Sequence, residues 1–172
     1  MKKRPPIVAH IHRSLTSFTR MGALLASLSL CLLFILALLD IILRLITNQG
    51  LDITLEFSGY LVAASLFLGV GWTLLEDGHI QVKLLHKKIP PPLLKALNLI
   101  LFTAGLIISS LLAYGLTVWT LGTYNTQQLS YFTSQTPLYV PQLLLTLGPY
   151  MLCSAFLVKI IESFWADGGQ SK

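Results

Sequence analysis

Ionisable side chains are missing from four long stretches of this chain. Residues 21–39, 57–75, 96–122 and 138–158 contain no Asp, Glu, Lys, Arg or His. Charge is scarce overall, at 11% of 172 residues, whereas 54% are hydrophobic and the mean hydropathy is +0.72. Soluble domains carry about 25% charged residues, so a soluble reading fails. Each stretch supplies, or nearly supplies, the roughly 20 apolar residues of a membrane helix. In lipid the backbone must be satisfied within the segment, and continuous apolar runs favour helices over the alternating segments of a β-barrel.

Other absences narrow the chemistry. The two cysteines, Cys31 and Cys153, lie in the first and last runs and read as small buried apolar residues. No cysteine pair occupies a connection, so four-helix disulfide-oxidant chemistry is excluded. The four histidines (His10, His12, His79 and His86) all fall outside the runs, which removes the facing axial ligands that a membrane-embedded haem needs. No Ser/His/Asp set, phosphate-binding glycine loop or cysteine-rich metal motif is present. The sequence therefore predicts no enzyme, no cofactor and no metal. A charge in a membrane helix costs about 2.5–3.5 kcal/mol on insertion scales and tends to mark function. Its absence from all four runs argues that this chain does not carry out transport chemistry alone.

The charges that are present fix an orientation. Lys2, Lys3, Arg4, Arg13 and Arg20 precede the first run, and Arg44 is the basic residue of the first connection. Lys83, Lys87, Lys88 and Lys95 lie in the second connection, none lies in the third, and Lys159 and Lys172 follow the fourth run. The positive-inside rule places both termini in the cytoplasm. Arg13, Arg20, Lys83, Lys87, Lys88 and Lys95 are then interfacial anchors toward membrane lipids. Orientation accounts for the basic pI of 9.4 without a nucleic-acid partner. The predicted fold is an all-α integral membrane domain with four transmembrane helices, N-in/C-in, over about 21–43, 55–75, 94–122 and 138–161 of a single unit, 1–172. Ile7, Ile11, Leu15 and Phe18 share one arc, which predicts a short amphipathic interfacial helix over about 7–19; the alternative is an unstructured basic leader. The first run leads into Asp40 and Arg44 with no small-residue cleavage site, so it reads as a retained helix.

Several positions stand out within this frame. Asp40 and Arg44 have the spacing of an i,i+4 ion pair, with a proton or sodium site as the sharper alternative. Glu56 opens the second span, where it either stabilises the helix N-terminus or meets a partner. Gly59, Ala63, Gly69 and Gly71 would let another helix approach closely, from this chain or another. The connection over 123–137 is polar, uncharged and rich in aromatics, either an ordinary loop or a docking surface. Pro149 is expected to kink the fourth helix unless a neighbour satisfies the carbonyl it frees.

Arg44 after the first span, Glu56 at the start of the second, and His79-Ile80-Gln81-Val82-Lys83 after it occur in a distinctive order, followed by Pro141 entering the fourth span and Gly148 within it. This order resembles the small (DctQ-type) membrane subunit of tripartite ATP-independent periplasmic (TRAP) transporters over about residues 15–160. The chain departs from that pattern at Lys83, where the family usually has Asp, and at Glu76-Asp77, a stretch often basic in relatives. The resemblance implies a scaffold subunit in a bacterial inner membrane. Its partners would be a large permease that binds sodium and substrate, and a periplasmic binding protein that delivers the substrate, commonly an organic acid. Arg44, Glu56, His79, Ile80, Val82, Pro141 and Gly148 would be its motif and interface residues. Two rival readings are a self-sufficient oligomeric four-helix exporter, which needs a membrane-embedded acid, and a membrane anchor for a redox enzyme.

Overall fold

The computed structural model describes residues 6–76 and 91–165. The described residues form four helices: α1 (Pro6–Thr47), α2 (Thr54–Leu75), α3 (Pro91–Asn125) and α4 (Tyr139–Trp165). All four are long and apolar enough to cross a membrane. At 1.5 Å per residue, the 22 residues of α2 span about 33 Å, close to a hydrocarbon core about 30 Å thick. The 42 residues of α1 span about 63 Å and the 35 of α3 about 52 Å, so both overrun it.

α1 differs from the expected pair of elements. It runs unbroken from Pro6, with no separate surface helix over 7–19. The reason is packing. Gly22, where a break could fall, is instead a point of close helix approach: a Cβ there would lie 2.6 Å from the Leu68 carbonyl oxygen. Nor does the predicted apolar arc face the bundle. Ile11 and Phe18 are exposed and Leu15 is half-buried, while Thr19 is fully buried and His12 reaches Glu162 of α4 at 2.9 Å. His12 thus ties this segment to α4, Arg13 and Arg20 stay exposed, and buried Thr19 donates to the Thr16 carbonyl of its own helix at 2.9 Å.

α1, α2 and α4 pack on one another, whereas α3 packs mainly on α4. The α1–α2 and α3–α4 pairs are antiparallel hairpins. α2 and α4 run parallel: Gly71 faces Met151 and Gly148 faces Phe67. Both ends of the described chain therefore lie at the same end of the bundle. The core is built of small and flexible side chains (Ala26, Ala64, Leu68 and Met151) where the three mutually packed helices meet. Buried hydroxyls are returned to their own helices: Ser29 donates to the Leu25 carbonyl, Ser65 to Val62 and Ser154 to Met151.

α3 is clipped to α4 by a ladder of polar contacts. Thr120 meets Thr146 at 2.9 Å, Thr117 meets the Tyr150 hydroxyl at 3.0 Å, and Cys153 lies 3.2 Å from Ser109. Interhelical bonds of this kind in membranes average about 0.6 kcal/mol. A double-mutant cycle on Thr120→Val and Thr146→Val is expected to give a coupling of about that size in an unfolding titration. A coupling near zero would show that this pair adds nothing to the packing of α3 on α4.

Candidate functional site

Two polar clusters tie the helices together at the end away from the termini. The first is centred on Asp40, which is 8% exposed near the end of α1. α1 stops after Thr47 because Asn48 takes a left-handed conformation (φ 57°) that asparagine tolerates. The turn then brings Leu51 and Thr54 back over the helix end. Asp40 Oδ1 accepts the Leu51 N–H at 2.7 Å and the Thr54 hydroxyl at 3.1 Å, while Oδ2 accepts from Arg44 at 3.1 Å. Gly50 covers this cluster, and a Cβ there would lie 2.6 Å from Arg44 Nη2. The expected i,i+4 pair is present, but the carboxylate does more: it closes the α1–α2 turn. Three donors of its own hairpin engage the carboxylate, which weighs against an ion-carrying role.

The second cluster is centred on Glu56, in the first turn of α2 and 3% exposed. Tyr60, one turn on, donates to Glu56 Oε1 at 2.8 Å. The Ser134 hydroxyl donates to Oε2 across 78 positions of sequence, and Ser134 is itself 2.7 Å from the Thr136 hydroxyl. The uncharged connection between α3 and α4 is thereby pinned to α2. That connection is an ordered lariat. Leu129 and Pro137 form a short antiparallel bridge, Ser130 N–H donates to the Thr136 carbonyl at 2.9 Å, and Gln127 and Gln135 take left-handed conformations. Tyr124 and Tyr139 close its base edge to face, with ring centroids 5.2 Å apart. Tyr131 is fully exposed at its tip, and Leu129 and Phe132 are exposed beside it.

The end that carries the termini has its own ties. Lys159 of α4 donates to the Leu75 carbonyl at 3.2 Å, meeting an orphan acceptor at the C-terminus of α2. The His12–Glu162 contact joins α1 to α4.

The remaining predicted positions fall as follows. Pro141 is buried in the first turn of α4, where helix N–H groups lack intrahelical acceptors and proline is tolerated. α4 continues through Pro149, whose side chain is buried. Gly148 and Gly71 sit where α2 and α4 backbones touch, and Gly69 faces Ala26 of α1 at ordinary contact distance. Ala63 is half-buried, whereas Gly59 faces open space. Arg13 and Arg20 are exposed and Lys95 is half-buried. His79, Ile80, Val82, Lys83, Lys87 and Lys88 lie outside the described residues. Among the described residues, no group of three or more His, Cys, Asp or Glu could hold a metal ion. Sequence reasoning missed the roles of Tyr60, Ser134, His12 and Glu162. Only the Glu56–Tyr60 spacing of four offered a signal.

These features define a multi-pass membrane protein whose described charged groups lie outside the long uncharged stretches, where several fasten one helix to another. Residues 20–165 match the family described as tripartite ATP-independent periplasmic transporters, DctQ component. The chain belongs to this family of TRAP transporter subunits, and it is a bacterial inner-membrane protein. It is also 38% identical over 80 residues to a protein of Haemophilus influenzae named as a TRAP transporter small permease, covering 46% of this chain and 50% of that one. The chain thus matches about half the length of this curated relative. No solved structure matches.

Proposed function

We propose that this chain is the small, non-catalytic scaffold subunit of a sodium-coupled TRAP transporter that takes up an organic acid such as a carboxylate or sialic acid. It packs against a large permease subunit, which binds sodium and substrate, and works with a periplasmic substrate-binding protein. Both termini face the cytoplasm, so the Asp40 and Glu56 clusters and the aromatic connection face the periplasm. The observation that carries this reading is the fate of the two buried acids. Asp40 and Glu56 are engaged by amide, hydroxyl and guanidinium donors of this chain. The membrane interior between the helix ends holds packing surface and hydroxyl ladders, which suit a fixed support.

The test is reconstitution. The chain co-expressed with its large permease is expected to co-purify with it. Proteoliposomes holding both, supplied with the binding protein, are expected to show sodium-driven uptake that vesicles with this chain alone lack. Sodium-driven uptake by this chain alone would overturn the scaffold role.

A further inference from the structure

One stripe of α1 carries two arginines and then only uncharged residues. Arg13, Arg20, Leu24, Cys31, Ile35 and Leu38 follow one another at spacings of seven, four, seven, four and three, which keeps them on one side of a helix with 3.6 residues per turn. All six are exposed. Leu24, Ile35 and Leu38 are 66%, 52% and 42% accessible, and no other described helix covers them. The two arginines stand about 10 Å apart along the axis, seven residues at 1.5 Å each. Neither makes a hydrogen bond or ion pair with any described residue. Glu162 of α4 is turned to His12.

The apolar boundary falls between Arg20 and Met21. Each headgroup layer adds about 5–8 Å beyond the hydrocarbon core, so a lipid phosphate sits at a height between Arg20 and Arg13. Both side chains are long enough to converge on it, and guanidinium groups match phosphate oxygens in charge and geometry. We propose that Arg13 and Arg20 form a site for the phosphodiester headgroup of an anionic phospholipid, with its acyl chains lying along Leu24, Cys31, Ile35 and Leu38. Charge complementarity selects the anionic lipid over a zwitterionic one, whose own ammonium would meet two fixed cations. The site rests on α1 crossing the bilayer and not on the transporter assignment, so either can fail without the other.

The test uses the purified full chain, with bound lipid counted by native mass spectrometry after addition of phosphatidylglycerol or phosphatidylcholine. The wild type is expected to retain phosphatidylglycerol preferentially. Each basic residue near a membrane surface contributes about fivefold, so Arg13→Gln and Arg20→Gln should each lower the preference by about that factor. The double variant should bind the two lipids alike. Arg13→Lys with Arg20→Lys should keep most of the preference. Equal retention of both lipids by the wild type would overturn the proposal, as would an undiminished preference in the double glutamine variant. Displacement of the lipid by millimolar inorganic phosphate would also overturn it, since the site would then be one for a free anion.

Discussion

Alanine at Gly148 or Gly71 is expected to destabilise the bundle by about 1–3 kcal/mol, the usual cost of overpacking a fitted core, whereas alanine at Gly59 is expected to leave it unchanged or slightly more stable. The three glycines differ only in what lies opposite. A Cβ at Gly148 would lie 2.6 Å from the Phe67 carbonyl carbon, and one at Gly71 would lie 2.8 Å from the Met151 carbonyl oxygen. Both obstacles are backbone, so relief requires α2 and α4 to move apart. At Gly59 nothing lies within 4 Å, and alanine there gains up to about 1 kcal/mol of helix propensity. Leucine at Gly148 should separate the two helices outright. Unfolding titrations in detergent check the order of the four variants. Equal effects at Gly59 and Gly148 would show that α2 and α4 do not touch as described.

Removing the Glu56 carboxylate is the second large perturbation. Glu56→Ala leaves Tyr60 and Ser134 without their acceptor and cuts the tie between the α3–α4 connection and α2. Buried hydrogen bonds to a charged group are the strong ones, and stranding their donors costs more than deleting both partners. Protease cleavage within 126–138 is expected to accelerate on the order of tenfold. Ser134→Ala should act in the same direction but less, because Tyr60 still holds the carboxylate, and the double variant should be little worse than Glu56→Ala. Wild-type cleavage rates in Glu56→Ala would mean that the bridge between Leu129 and Pro137 suffices to order the connection.

The four helices are legible in the sequence because continuous apolar runs leave lipid-soluble backbone no alternative. Asp40 and Arg44 are equally legible, since their spacing places both on one helix face. The faces of the spans are not. A helix apolar all round has no stripe to orient it, so Gly59 and Gly71 look alike until a neighbour is placed against one of them. The Glu56–Ser134 contact joins residues that share no local pattern. The N-terminal segment misled for a related reason. Its apolar arc suggested a helix lying on lipid, but a polar contact between His12 and Glu162 and the burial of Thr19 hold it upright along α4.

That α3 packs mainly on α4 has a consequence for how the chain is made. Translation delivers α1 and α2 first, and they can pair at once through the Asp40 turn. α3 then enters the bilayer before its main partner, α4, has been made. Among the described helices, α4 packs extensively on all three of the others. The packing of α3 therefore waits on α4, and damage to α4 is expected to loosen α3 along with it.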